Sequence, residues 1–170
     1  VIERGDSRKG LPFVLGQFGS NSTYTQTRTN WAAGMDAKAK LQGIAAKDLG
    51  GAPGDYDTTD GKVFNKSNPS KSMSWAQAAK RAIELGGKYS GKEMPKDINP
   101  ITKWATASIA GTGLVGVTKD KRPKKGVTPG LVTAFVKIEV DTETGKVEVL
   151  DHVEIADCGT AVHPASLATQ

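Results

Sequence analysis

Apolar side chains recur at helical spacing early in the chain, between Thr27 and Leu49. The five that can share one broad face are Trp31, Met35, Leu41, Ala45 and Leu49. Two glycines, Gly50 and Gly51, follow at once, as is typical of a helix C-terminus. The pattern therefore predicts a helix over residues 27–49.

Two local signals predict the next elements. Asp60-Gly61 is a strong two-residue turn, so residues 55–66 are predicted to form a short hairpin around it. Ser74-Trp-Ala-Gln77 has the form of a capping box, with the side chains of the first and fourth residues positioned to bond each other's backbone. It predicts a second helix that runs to Leu85, before another pair of glycines.

The clearest alternation of apolar and polar residues lies near the C-terminus. Its apolar positions are Val132, Ala134, Val136, Ile138 and Val140, then Val147, Val149, Val153 and Ile155. The turn between the two runs is Asp-Thr-Glu-Thr-Gly-Lys. This predicts an antiparallel hairpin with one buried face that includes Val136 and Ile138. The predicted fold class is α+β, an antiparallel hairpin sheet packed with two helices.

Composition narrows the class of protein. Hydrophobic residues make up 37% and charged residues 24%, and no apolar run approaches the roughly 20 residues of a membrane helix. The three tryptophans and Phe135 are predicted to lie in the core. The chain has a single cysteine, Cys158, and only two histidines, so a metal ion held by this chain alone is not expected. Cys158 is predicted to be a small buried thiol.

The net charge of +5 raises the question of nucleic acid. Its densest basic cluster consists of Lys119, Lys121, Arg122, Lys124 and Lys125. No aromatic side chain is interleaved with these residues to stack on bases, and Pro123 interrupts them. We interpret this segment as a solvated loop.

The glycines at positions 111, 113 and 116 match the G-x-G-x-x-G pattern of dinucleotide-binding turns. Such a turn must lead into a helix whose N-terminus faces the pyrophosphate. The residues that follow lack helical periodicity and include Pro123, so no helix is predicted there. We interpret the glycines as part of a strand over residues 104–117, or as a close approach of two backbones.

Several segments of the chain occur, in similar form and in the same order, in the members of one known family. They are V-I-E-R-G-D at the start, G-Q-F-G-S-N-S over residues 16–22, N-W-A-A-G-M-D-A-K-A-K-L over 30–41, F-V-K-I-E-V-D-T-E-T-G-K-V-E-V-L over 135–150, and A-D-C-G over 156–159 with His163-Pro164 and Gln170. Together they resemble the molybdopterin-binding large subunit of the xanthine dehydrogenase and aldehyde oxidase family, the molybdenum hydroxylases. The resemblance covers essentially the whole chain and is weak between Gly50 and Ile98.

The resemblance implies that residues 1–170 are a single fragment of a molybdenum cofactor-binding domain. In that family molybdopterin, in some members as a dinucleotide, holds a molybdenum ion that hydroxylates an aldehyde or N-heterocycle with oxygen from water. Electrons leave through iron–sulfur clusters, and in some members FAD, on partner chains. The implied partners are the remainder of the large subunit, an iron–sulfur subunit and, in some members, a flavin subunit.

The same resemblance supplies the candidate site. Gly19 matches the small residue closest to the metal in the family. The residues implied to bind the cofactor are Gln17, Phe18, Gly19, Ser20, Asn21, Ser22 and Gln170. From the residues alone, residues 16–22 are better interpreted as an ordinary loop that caps a helix, and the resemblance reverses that preference. For Gln170, an exposed chain end is an equal alternative. Thr169 and His163 depart from the family pattern, which has glycine and asparagine there, so capping by His163 is in doubt. Asp157 is predicted to be a turn carboxylate.

No catalytic residue and no metal ligand is predicted in this chain. By resemblance, the catalytic glutamate of the family and its glycine-phenylalanine-glycine loop lie outside the segment. The main alternative is a non-catalytic scaffold or assembly chain of the same fold, and a basic nucleic-acid-binding module is a weaker one. Neither nucleic acid binding nor membrane insertion is expected.

Overall fold

The computed structural model describes residues 16, 18–19, 22–119 and 130–169. The chain divides into two compact units, Val1–Lys121 and Arg122–Gln170. The described residues of the first form three α-helices and a three-stranded antiparallel sheet, and those of the second a two-stranded hairpin and a short helix. The α+β fold class predicted from the sequence is confirmed. The sequence of residues 1–12 predicts a strand end followed by a turn-rich loop, and this segment lies outside the described residues. So does the basic loop beyond Lys119.

Helix α1 (Ser22–Leu49) is the longest element of the first unit. It begins five residues before the predicted start and ends as predicted, where Gly50 adopts a φ of 79° and donates its N–H to the Ala46 carbonyl. Its C-terminal half is the buried half, with Ile44 and Ala45 fully buried. Among the described residues no helix combines the length and the apolarity needed to cross a lipid bilayer.

The three-stranded sheet packs with α1 and α2. Strands β1 (Tyr56–Thr59) and β2 (Lys62–Asn65) form the predicted hairpin, and Asp60 and Gly61 both have positive φ, as its tight turn requires. The sequence did not predict β3 (Ser72–Ser74), which pairs with β2. A short 3-10 turn (Pro53–Asp55) precedes β1. Two groups of fully buried side chains join the layers, Ala45 with Tyr56 and Val63, and Ile44 with Ala78 and Ala82.

Helix α2 (Trp75–Leu85) starts at the predicted capping box. The Ser74 hydroxyl accepts from the Gln77 N–H, and the Gln77 side chain accepts from the Ser74 N–H. The strand predicted over residues 104–117 is wrong. Helix α3 (Pro100–Ala107) lies there because Asn99 caps the N–H of Ile101 and proline occupies the first helical position.

The second unit contains β4 (Val132–Val140), β5 (Val147–Ala156) and helix α4 (Pro164–Leu167). The hairpin is confirmed, but its single apolar face is not. A bulge between Lys137 and Ile138 leaves Leu150 without an opposite residue, since Asp151 pairs with Lys137 and Val149 with Ile138.

The bulge changes which side chains share a face. Val153 lies opposite Phe135 on one face, whereas Val149 lies opposite Ile138 on the other. Val136 and Ile138, predicted to be buried, are both about half exposed. The prediction fails because the described part of this unit contains no layer that covers the hairpin.

Other predicted core residues are also exposed. Trp31, Trp104 and Phe135 each expose about two thirds of their surface, and Trp75 about half. Cys158 is exposed rather than buried, because it follows β5 in a turn where Asp157 accepts the Gly159 N–H. That contact confirms Asp157 as a turn carboxylate.

Candidate functional site

The loop that leads into α1 contains two glycines in the left-handed region of backbone space. Gly16 has a φ of 88° and Gly19 a φ of 56°. Side chains with a β-carbon rarely adopt these values, so the loop conformation depends on glycine at both positions. Ser22, the first residue of α1, is partly buried.

The surroundings of Gly19 are open. A β-carbon built on Gly19 would meet no heavy atom within 4 Å, and the neighbouring Phe18 side chain is 65% exposed. The backbone at Gly19 is therefore accessible to a bound molecule. The small residue and the open space fit a cofactor that approaches the main chain closely.

The sequence on either side of this loop carries little charge. Arg28 is the only charged residue between Gly10 and Met35, and no acidic residue stands in the first turn of α1. The first N–H groups of a helix have no partner within the helix and carry partial positive charge. A helix start of this kind can accommodate an anionic group.

An ion pair between a partly buried aspartate and a buried lysine fixes α1 just beyond its midpoint. Lys40 is buried, and its Nζ lies 2.6 Å from Oδ2 of Asp36 and 2.8 Å from the carbonyl oxygen of Val115. The same Oδ2 accepts the N–H of Val117 at 2.8 Å. The extended segment around Gly116 is thus bonded along α1, and we call these contacts the α1 clamp.

Gly116 is the close backbone approach expected from the glycine pattern. A β-carbon there would lie 2.5 Å from the Ala33 carbonyl oxygen and 3.1 Å from the Ala37 β-carbon. Residues 117–119, which follow it, form no helix. Gly116 therefore allows the chain to pack against α1 and does not form a nucleotide-binding turn.

The structure describes three of the predicted site residues, Phe18 and Gly19 just before α1 and Ser22 as its first residue. The other four, Gln17, Ser20, Asn21 and Gln170, lie outside the described residues. The role of all seven stays a prediction. Within the described ranges, no three acidic, histidine or cysteine side chains are grouped so that they could hold a metal ion.

The sequence interpretation missed the α1 clamp. Asp36 and Lys40 stand four residues apart on a helix, the spacing of an intrahelical ion pair. That spacing alone does not distinguish a solvated pair from a buried one. The stronger sign of a close contact with α1 is Gly116, a glycine between two buried valines.

A family model for the molybdopterin cofactor-binding domain matches residues 1–170. The chain belongs to this family. The match confirms the resemblance to the molybdopterin-binding subunit of molybdenum hydroxylases and identifies the cofactor class as molybdopterin with molybdenum. No curated protein sequence gives a significant match.

One solved structure similar to this molybdopterin cofactor-binding domain is a Cu,Mo-CO dehydrogenase in its carbon monoxide reduced state. The two are 25% identical, and the match covers 93% of this chain but 17% of that chain, with a TM-score of 0.46. A TM-score of this size does not establish a shared fold. The family assignment rests on the family model.

Proposed function

We propose that residues 17–22 line the molybdopterin cofactor in an oxidoreductase of the xanthine dehydrogenase and aldehyde oxidase type. Gly19 would lie closest to the metal, and Gln170 would reach the cofactor from the C-terminal segment. The observation that carries the proposal is the open, left-handed glycine at position 19, beside a helix start without acidic residues.

The chemistry would come from the cofactor, which when bound supplies a molybdenum centre that hydroxylates an aldehyde or N-heterocycle with oxygen from water. The residues of this chain would hold and orient it. Backbone N–H groups at Gly19 and at the start of α1 would donate to its polar atoms. The α1 clamp would keep the helix in place.

Other components of the activity are assigned outside this chain. We propose that the catalytic glutamate belongs to the remainder of the large subunit and that electrons leave through iron–sulfur clusters on a partner subunit. FAD on a further chain, and a dinucleotide form of the pterin, are part of the same proposal. They rest on the family resemblance.

Two alanine variants of the full-length protein, purified in complex with its partner subunits, test the site. Gly19→Ala and Gly16→Ala both place a β-carbon at a positive φ, so each carries a similar backbone cost of about 1–2 kcal/mol. Neither β-carbon would meet a protein atom closer than 3.7 Å. A difference between the variants therefore reports on a bound molecule rather than on the fold.

Molybdenum is measured by mass spectrometry and the pterin by fluorescence of its oxidised form. We expect Gly19→Ala to lose both together and to keep its iron, whereas Gly16→Ala keeps all three. Full cofactor content and turnover in Gly19→Ala would make the loop an ordinary helix entry. An iron-containing protein without molybdenum in its native form would instead support the scaffold alternative.

A further inference from the structure

The two faces of the β4–β5 hairpin differ in charge. Residues that pair across an antiparallel ladder share a face, and successive residues along a strand alternate between faces. One face therefore carries Lys137, Glu139, Glu148 and Asp151. The other, which we call the apolar hairpin face, carries Val132, Ala134, Val136, Ile138, Val140, Val147 and Val149, with His152, Glu154 and Ala156 further from the turn. The valines and the isoleucine of this face expose 47–61% of their surface.

Two strands alone do not make a stable sheet. Every residue of β4 and β5 is exposed, and an isolated hairpin is at best marginally stable in water. A third strand that widens the apolar face, or a helix packed on that face, is needed for independent stability. Contiguous apolar surface of this kind marks a contact site. We therefore expect a further polypeptide segment to join the hairpin.

The backbone hydrogen bonds show which groups of the hairpin point outward. The N–H of Asp157 donates to the Leu131 carbonyl at 2.8 Å, just before the first pair of the ladder. Bonded and non-bonded pairs alternate along an antiparallel ladder, so the first pair and every second pair after it are non-bonded. The residues of those pairs direct their N–H and C=O groups away from the partner strand, and they are Val132, Ala134 and Val136 on β4 and Ala156, Glu154 and His152 on β5.

The outer edge of β4 suits strand addition better than the outer edge of β5. Strand β4 runs over nine residues without a proline or an inserted residue. Strand β5 carries the bulge at Leu150, and bulges on an edge hinder pairing with another strand. The outward N–H of His152 on β5 already donates to Oδ1 of Asp151 at 2.9 Å. A third strand is therefore expected beside β4.

We propose that the outer edge of β4 binds one extended strand of the remainder of the large subunit. The identity of this partner rests on the proposed function. The strand would exchange backbone hydrogen bonds with the outward groups of β4. Its alternate apolar side chains would continue the apolar hairpin face, and three strands with such a face meet the requirement for a stable sheet.

Charge and area both favour this partner over a second copy of the chain. Residues 130–169 contain seven acidic side chains and two lysines. A second hairpin would bring the same surplus of negative charge, whereas a strand with lysine or arginine at its polar positions would offset it. One strand edge also buries much less than the roughly 1,000 Å² that a specific interface between separate proteins needs. Within one subunit the rest of the fold holds the strand nearby, so a small contact suffices.

Hydrogen–deuterium exchange resolved to single amides tests the pairing in the full-length protein, purified in complex with its partner subunits. The reporters are the N–H groups of Ala134 and Glu154, which lie opposite each other and point to opposite edges. After correction for intrinsic rates, Ala134 should exchange at least about tenfold more slowly than Glu154, because a bonded amide exchanges only when its bond opens. Equal rates at the two positions would overturn the proposal.

Two proline variants make the same chemical change on opposite edges. Ala134→Pro removes an outward N–H of β4, and Ala156→Pro removes one of β5. The exchange rate of the Val136 amide should rise about tenfold in Ala134→Pro, which loses a hydrogen bond to the added strand, and stay within about twofold of wild type in Ala156→Pro. A rise of equal size in both variants would contradict the choice of β4. If Ala134→Pro does not assemble, the wild-type comparison still decides.

Dilution distinguishes the other occupant. Protection of the Ala134 amide that declines as the complex is diluted would assign the edge to a second copy and overturn the assignment to the remainder of the subunit. The proposed function fails separately. Wild-type molybdenum content in Gly19→Ala would remove the cofactor from the loop before α1, whereas a protected Ala134 amide would still show that β4 is paired.

Discussion

Gly116 lies so close to Ala33 of helix α1 that a β-carbon on the glycine would come within 2.5 Å of the alanine carbonyl oxygen. The contact joins residues more than eighty positions apart. It explains the last glycine of the G-T-G-L-V-G stretch by packing, since the obstacle is a backbone atom that cannot rotate away.

Gly116→Ala should therefore destabilise the protein strongly, by about 3 kcal/mol, because α1 or the extended segment must move to admit the methyl group. The control is Gly113→Ala in the same stretch, where a β-carbon would meet no heavy atom within 4 Å. Urea unfolding of both variants measures the difference. Equal midpoints would show that the two backbones are not in contact.

The buried ion pair of the α1 clamp should contribute more than its exposed counterpart. Lys40→Met keeps the aliphatic stem but removes the bonds to Asp36 and Val115, at an expected cost of about 1–3 kcal/mol. The control, Lys38→Met, breaks an exposed pair with Asp57 and should change the unfolding midpoint little. The prediction fails if Lys38→Met is the more damaging substitution.

The hairpin register places two glutamates directly opposite each other, Glu139 and Glu148. Like charges in this arrangement destabilise an antiparallel pair. Glu139→Lys should raise the melting temperature slightly, because it replaces a repulsion with an attraction. Glu143→Lys makes the same charge change in the turn, away from Glu148, and should give a smaller rise. A larger effect at Glu143 would contradict the register.

The hairpin turn should weaken in acid. Oδ1 of Asp141 accepts the N–H groups of Glu143 and Thr144, at 2.9 and 3.1 Å. A hydrogen bond from the Thr144 side chain, followed by these backbone bonds, lowers the pKa of Asp141 below its ordinary value. The folded state thus favours the ionised form. Its contribution to stability is present at neutral pH and is lost as the pH falls through the lowered pKa.

Hydrogen exchange of the turn peptide as a function of pH measures this effect. Wild-type protection should decline only in strong acid, and Asp141→Ala should be unprotected at neutral pH. Glu143→Ala, which leaves both acceptor contacts in place, serves as the control. A wild-type turn that is equally protected on both sides of the carboxyl titration range would refute the role of Asp141.

Elements defined by local chemistry could be predicted from the sequence. The capping box at Ser74 and the Asp60-Gly61 turn each satisfy backbone groups within a few residues, so their sequence signals suffice. Helix α3 has such a signal too, in the Asn99-Pro100 pair. The strand over residues 104–117 was predicted from the glycines at positions 111, 113 and 116 instead.

Burial could not be predicted in the same way. Trp31 has the apolar surface of a core residue, yet only the C-terminal half of α1 meets the sheet and α2, so Trp31 stays exposed. The bulge at Leu150 also leaves no sign in an alternating pattern, which predicted Val149 and Val153 on one face. Both outcomes depend on what the element packs against, which periodicity does not encode.

The predicted site was identified through the family resemblance, because glycine, serine and asparagine occur in any loop that precedes a helix. The structure adds the positive φ of Gly19 and the open space beside it. Neither property can be read from residue types. The α1 clamp escaped prediction because its partners meet only in the folded chain.

The sequence separation within the α1 clamp also has a consequence for the order of folding. The Lys40 side chain and the Val115 carbonyl are 75 residues apart, whereas α1, β1, β2 and β3 adjoin one another along the chain. Closing a long loop costs entropy before its contacts contribute, and contacts of high sequence separation slow folding. Synthesis from the N-terminus therefore produces α1 and its sheet while the segment that fixes the helix is still to be made. Until residue 117 has been synthesised, Asp36 lacks the N–H of Val117 and Lys40 lacks the carbonyl of Val115, and their ion pair is the part of the clamp that can already form.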